Sequence, residues 1–250
     1  MGFWTIADRV IDQVDIVLLI VDARMPEMSD NKLLRDIINQ KKKQLVLVFN
    51  KKDLVSEEAM FELKRQYPYA FFVSGIKNEG VSRLKTGLMI MAKRSGLEKP
   101  RIGVVGYPNV GKSAIINAMA HRARAAVSTK AGTTRGVQWV RVGALQILDS
   151  PGVIPYKDSD VKLGIIGAKN PEKIRNEEKV ACKIIEMIVE KNKAALEEFY
   201  SIKLEDNEDK YDTFLKIGEK RKFLLKGGKI DEHRTAIQII NDWTRGKIKV

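Results

Sequence analysis

The chain has 250 residues with 45 Lys+Arg against 32 Asp+Glu, a formal net charge of +13, and 44% of its residues are hydrophobic. That is enough apolar material for one large core or two small ones, which excludes a disordered chain. The longest aliphatic run, IVLLIV from Ile16, falls far short of the ~20 residues a bilayer-spanning helix needs, and a single cysteine, Cys182, excludes an internal disulfide. Asp8 and Arg9 interrupt the N-terminus before a signal-peptide core can form, so the cytoplasm is the expected compartment and no membrane partner is expected. The basic surplus points to a polyanionic partner, nucleic acid first.

Short apolar runs alternate with longer amphipathic stretches as far as residue 149, the α/β pattern. Strands are predicted over 15–22, 44–50, 70–74, 101–106, 137–142 and 145–149, nearly continuous runs that suit strands buried on both faces of a mostly parallel, six-stranded sheet. Helices are predicted over 31–42, 57–66 (capped by Ser56), 81–94 and 113–120.

The second strand runs into Asn50-Lys51-Lys52-Asp53, an N-K-x-D sequence at the strand end where open α/β sheets bind ligands. An aspartate there accepts both donors of the guanine edge, N1–H and the 2-amino group, which adenine lacks. Ser74-Gly75, ending the third strand, fits a loop that offers backbone N–H to guanine O6. After the fourth strand comes GYPNVGKS, Gly106–Ser113, which matches G-x-x-x-x-G-K-[ST] between a strand and a helix. Glycines there let backbone N–H groups of Asn109, Val110 and Gly111 curl around phosphate oxygens at a helix N-terminus. Lys112 would reach the β- and γ-phosphates, and the Ser113 hydroxyl would hold Mg²⁺. Ala131-Gly132-Thr133-Thr134-Arg135 follows, with Thr134 the first choice and Thr133 the second for a threonine that closes over Mg²⁺ when GTP is bound. Asp149-Ser150-Pro151-Gly152 matches D-x-x-G, with Asp149 toward Mg²⁺ and the Gly152 N–H toward the γ-phosphate.

From residue 156 the strand pattern stops. Helices are predicted over 177–200, 211–225 and 232–245, with Gly246 as a C-terminal cap, which makes an α/β domain over 1–157 and an all-α domain over 158–250. Ordinary GTPases run phosphate loop, threonine, DxxG, NKxD and guanine loop. This chain runs NKxD, guanine loop, phosphate loop, threonine, DxxG, a circular permutation that a short connection at 95–99 permits because domain termini often lie close together.

In this order and in VDARMP (Val21–Pro26), NKKDLV, GYPNVGKS, AGTTRG and LDSPGV the chain resembles the circularly permuted P-loop GTPases of the YlqF/RbgA and YawG type, and the tail GGKIDEHRTAIQIINDWTRGKI is similar to theirs. The resemblance implies a ribosome-assembly GTPase that uses GTP/GDP and Mg²⁺ and binds rRNA on the large-subunit precursor. It also implies that Asn109 ligates a K⁺ ion that replaces an arginine finger.

Val153 and Ile154 stand where Ras-like proteins carry the water-orienting glutamine, so slow intrinsic turnover is expected, with the missing group supplied by another residue, K⁺ or RNA. The catalytic residues on this reading are Lys112, Thr134 and Gly152. Because the chain after DxxG leads into the helical domain, nucleotide state is expected to control RNA affinity. Two readings compete: an RNA-binding protein with a vestigial nucleotide site, and a regulatory GTPase acting on tRNA or at a membrane. A monomer is expected.

Further basic residues have plainer explanations. Lys41-Lys42-Lys43 reads as a solvated helix end. Arg122, Arg124, Lys130 and Arg135 flank the threonines with equal claims to RNA contact and to loop polarity. Lys220, Arg221, Lys222, Lys226, Lys229, His233 and Arg234 read as an RNA-phosphate surface. Trp4, Trp139 and Trp243 read as core. Charge is uneven: residues 1–157 carry 25 basic and 14 acidic groups (net +11), 158–215 carry 10 and 14 (−4), and 216–250 carry 10 and 4 (+6).

Overall fold

The computed structural model describes residues 3–120, 138–155 and 158–250, and the chain divides into two compact units, Met1–Lys157 and Asp158–Val250. The first unit is built on β1 (Ile16–Asp22), β2 (Gln44–Asn50), β3 (Phe71–Phe72), β4 (Arg101–Gly106), β5 (Gln138–Val142) and β6 (Leu145–Asp149). Among the described residues they form one six-stranded sheet in the order β3-β2-β1-β4-β6-β5. All pairings are parallel except the β5–β6 hairpin. β1 lies between β2 and β4 and is buried along its whole length, which explains a strand made only of Ile, Val and Leu before Asp22.

The helices of this unit are α1 (Phe3–Asp12), α2 (Pro26–Ser29), α3 (Lys32–Gln40), α4 (Glu57–Gln66), α5 (Val81–Arg94) and α6 (Lys112–Met119). The Asn31 side chain caps α3 by accepting from Leu34 N at 3.2 Å, and Ser56 caps α4 by accepting from Ala59 N at 3.3 Å. α1 is not legible as a separate element in the sequence, yet it buries Ala7, Val10 and Ile11. It also changes the reading of the lysine cluster. Lys41 Nζ pairs with Asp8 at 2.8 Å and Asp12 at 2.6 Å, and Lys43 Nζ donates to Val14 O at 2.8 Å, so two of these cations tie β2's approach to α1 rather than pointing into solvent.

Two further expectations change. β3 is shorter than predicted: Val73 still donates to Phe49 O at 2.8 Å, but Ser74 then leaves the sheet to pair with Glu79 across a tight turn. Trp139 is not core. It lies on β5, the edge strand among the described residues, and it is 48% exposed. The side chain of Trp4 lies outside the described residues.

In the second unit, α7 (Asp160–Ile166), α8 (Glu177–Tyr200), α9 (Lys210–Lys220) and α10 (Glu232–Thr244) pack around Ile184, Ile188, Phe214, Ile217, Ile240 and Trp243. Cys182 is buried on α8. α8 breaks at Asn192 (φ −160°, ψ 79°), whose Oδ1 accepts from Ala195 N at 3.1 Å and restarts the helix. The Trp243 indole donates to Ile165 O at 2.9 Å, and the buried Asp242 carboxylate accepts from Tyr200, Gln238 and Lys247. α9 ends five residues earlier than the predicted 225: Lys222 turns left-handed (φ +56°) and Phe223 N donates back to Gly218 O at 2.9 Å, after which Gly227 (φ +91°) and Gly228 (φ +79°) carry the chain through a hairpin with Leu224 opposite Ile230. Gly246 (φ +69°) follows α10 as a left-handed cap. No helix among the described residues is long and apolar enough to cross a membrane.

Candidate nucleotide site

Loops leaving β2, β3, β4 and β6 meet at the C-terminal ends of the parallel strands. Gly106 closes β4 with φ +146°, where a Cβ would stand 2.6 Å from Ile20 O, so only glycine lets the loop leave the strand here. The loop is anchored by Tyr107 and Val110, both buried, and passes through Asn109 (φ +61°) and Gly111 (φ +95°) into α6. Lys112, the first residue of α6, is 6% exposed and its Nζ folds back to donate to Tyr107 O at 2.8 Å and Gly106 O at 3.3 Å. Burial pushes its ammonium down to about 8, against the opposing pull of the Asp149 charge. A lysine in that state gains from a phosphate group.

Asp149 ends β6, and Ser113 Oγ donates to its Oδ2 at 3.1 Å. The hydroxyl and carboxylate oxygens predicted to face Mg²⁺ from two separate elements are therefore side by side, and hard oxygens of this kind suit that ion. Ser150 Oγ donates to Val104 O at 2.6 Å, which fixes the start of the DxxG loop on β4. Gly152 lies against the backbone of Pro108, in the phosphate loop, where a Cβ would collide with Pro108 N and Cα. Val153 N donates to Gly106 O at 3.1 Å, and Asn31 Nδ2 donates to Val153 O at 3.3 Å. Val153 is buried in the core, so neither its chemistry nor its position suits water activation.

At the other end of the row, Asn50 acts as a strut between two loops. Its Nδ2 donates to Val110 O at 2.8 Å in the phosphate loop, and its Oδ1 accepts from Gly75 N at 3.0 Å in the guanine loop. The Gly75 N–H is therefore held by Asn50, and Lys77 N donates to Ser74 Oγ at 3.1 Å. Gly75 itself packs against α6, where a Cβ would be 2.9 Å from Ala114 C. Lys51 takes a left-handed conformation (φ +63°) and leads into the 3-10 turn Lys52–Leu54 that carries the half-buried Asp53.

Of the sequence-predicted residues, the structure brings Asn50, Gly75, Val110 and Gly111 together in one cluster and Lys112, Ser113, Asp149 and Gly152 in an adjoining one. Thr133, Thr134 and the basic residues Arg122, Arg124, Lys130 and Arg135 lie outside the described residues. Residue-by-residue reasoning missed Asp22, Arg24 and Asn31. The signal for the first two was present, since an Asp-x-Arg at the end of an otherwise wholly apolar central strand puts two charges where the sheet is buried.

Over residues 5–157 the chain matches the family described as RsgA GTPase, and over residues 101–220 the one described as 50S ribosome-binding GTPase. A GTP-binding protein of Methanocaldococcus jannaschii is 37% identical over 245 residues, covering 97% of this chain and 65% of that protein. Nucleolar GTP-binding protein 2 of Pneumocystis carinii is 32% identical, covering 98% of this chain and 52% of that protein. Ribosome biogenesis GTPase A of Priestia megaterium is 30% identical over 254 residues, covering 94% and 87%. The chain thus spans about half to two thirds of the length of the first two relatives. Among solved structures, GDP-bound YlqF of T. maritima has the same fold, with a TM-score of 0.63 at 22% identity over 96% of each chain, and the GNP-bound form gives 0.61 at 21%. Motif order, strand order and these matches agree, and the chain belongs to the circularly permuted GTPases of the YlqF/RbgA type.

Proposed function

We propose that this chain binds GTP with Mg²⁺, hydrolyses it to GDP and phosphate, and acts in assembly of the large ribosomal subunit. The observation that supports this most is the Asn50 side chain, which joins the phosphate loop to the guanine loop and so couples the two halves of one nucleotide site. Lys112 and the backbone of Asn109, Val110 and Gly111 would hold phosphates; Ser113 and Asp149, with Thr134, would hold Mg²⁺, which neutralises phosphate charge when bound. Asp53 would read guanine, Lys51, Ser74 and Gly75 would support the base, and the Gly152 N–H would sense the γ-phosphate.

The relatives named as ribosome biogenesis GTPases support an rRNA partner on a large-subunit precursor. The exposed cations Lys220, Lys222, Lys226 and Lys229, grouped around the hairpin of the second unit, support phosphate contact from 158–250 as an RNA-binding domain. On this reading the chain is a cytoplasmic monomer when off the particle, and Asn109 ligates K⁺. Buried Val153 cannot orient the attacking water, so turnover is slow alone and faster on the particle. Steady-state GTP turnover measured with and without immature large subunits, at matched K⁺ and then with Na⁺ in its place, tests this. Stimulation by particles is expected, and equal rates would overturn it.

A further inference from the structure

Beneath the Asn50–Asp53 turn, Lys51 is held by two buried charged residues, Asp22 and Arg24, that the nucleotide reading does not use. Asp22, the last residue of β1, is 0% exposed. Its Oδ1 accepts from Arg24 N and Arg24 Nε, both at 3.1 Å. Its Oδ2 accepts from Arg24 Nη2 and from Lys51 Nζ, both at 2.8 Å. Arg24 is as buried as Asp22, and the Lys51 side chain is 13% exposed. Ser29 completes the support: the Asp22 N–H donates to its Oγ at 2.9 Å, and that hydroxyl donates to Met25 O at 2.8 Å.

Two cations share one carboxylate away from water, an arrangement that adds less stability than apolar packing of the same volume would and whose attested use is to fix geometry. The geometry fixed here is that of Lys51. Its backbone is left-handed, a conformation that non-glycine residues adopt only when their surroundings hold them there. It is flanked by Asn50, which ties the two nucleotide loops, and by the turn that carries Asp53. Burial pushes the Lys51 ammonium down, and Asp22 is the main group keeping it charged. Arg24 in turn holds the Asp22 carboxyl well below the usual carboxylate range.

We propose that Asp22, oriented by Arg24, is a positioning residue for guanine-nucleotide recognition: it holds Lys51, and through Lys51 the turn that presents Asp53. The inference rests on the guanine-nucleotide reading given above. It is tested by equilibrium titration and dissociation kinetics of fluorescent GDP on the full chain, for Asp22→Asn, Lys51→Met and the double variant. Each single change is expected to weaken GDP by about tenfold, equivalent to one 1.4 kcal/mol step. Because Asp22 acts through Lys51, the double variant is expected to bind within about twofold of Lys51→Met alone.

Arg24→Lys keeps the charge but loses the fork, and it carries the same test if Asp22→Asn does not fold. It is expected to weaken GDP severalfold with Lys51 in place and to have no effect combined with Lys51→Met. A merely structural role would lower the unfolding temperature without this dependence on Lys51. Additive losses, unchanged GDP affinity in folded Asp22→Asn or Arg24→Lys, or unchanged affinity in Lys51→Met would overturn the proposal while leaving the GTPase reading intact. Wild-type chain that does not prefer GDP to ADP would overturn the reading itself.

Discussion

Asp53 is half-buried and makes no hydrogen bond or ion pair among the described residues, on a turn fixed by Lys51 and Val55. If it accepts from N1–H and the 2-amino group of guanine, Asp53→Asn removes the charge from two charge-assisted bonds. The expected result is a loss of GDP affinity of about a hundredfold, roughly 3 kcal/mol. The same change lets the amide donate to the 2-oxo group of xanthine, so xanthosine diphosphate should gain affinity; parallel titrations with the two nucleotides check this. Lys112 gives a pH prediction whose sign follows from its lowered value of about 8 in the free site. Bound phosphates favour the ammonium, so above about pH 8 binding must take up a proton and affinity falls with rising pH, by up to tenfold per unit. Calorimetry of GDP binding in two buffers of different ionisation enthalpy measures that uptake, and Lys112→Arg, which stays charged, should remove it. Both residues were legible in the sequence, because each belongs to a motif whose spacing carries its chemistry. Asp22 and Arg24 were visible only as part of VDARMP and as charges ending an apolar strand; their roles were not legible, since these depend on where β1 places them below Lys51.

At the level of elements, strands and amphipathic helices follow from periodicity, and errors fall where a neighbour decides the outcome. The pattern over 211–225 continues helically, but Lys222 takes a positive φ and Phe223 N closes back on Gly218 O, ending α9 at Lys220, and Gly227 and Gly228 then fold Leu224 back on Ile230. Trp139 reads as core by composition, and the edge position of β5 exposes it. Trp243 also reads as core and is wholly buried, because α10 faces the other helices of its unit. Its indole donates to Ile165 O on α7 at 2.9 Å. Trp243→Phe keeps most of the apolar contact and leaves that buried carbonyl without its donor, so the second unit should lose about 1–3 kcal/mol, read as a lower urea midpoint of the helical transition. GDP affinity in the first unit should be unchanged.

For the whole molecule, the uneven charge is the feature with functional reach. The net +11 of residues 1–157 and +6 of 216–250 enclose a segment of −4, so RNA affinity should reside in two separate stretches of the chain. Replacing Lys226 and Lys229 by glutamine should lower the slope of log affinity against log salt by about one per lysine, uniformly across RNA sequences. Filter binding at several KCl concentrations measures this. An unchanged slope would place the phosphate contacts elsewhere. The sequence by itself determined the fold class, the permuted order of the motifs and the chemistry each motif can perform, because those depend on local spacing and residue type. Only the tertiary structure decided that Asn50 struts the two nucleotide loops, that Gly152 rests on Pro108 and that Asp22 and Arg24 hold Lys51. Each of these joins residues far apart along the chain or buries charge in the interior, and the parallel sheet brings them together by setting its strands in an order different from that of the sequence.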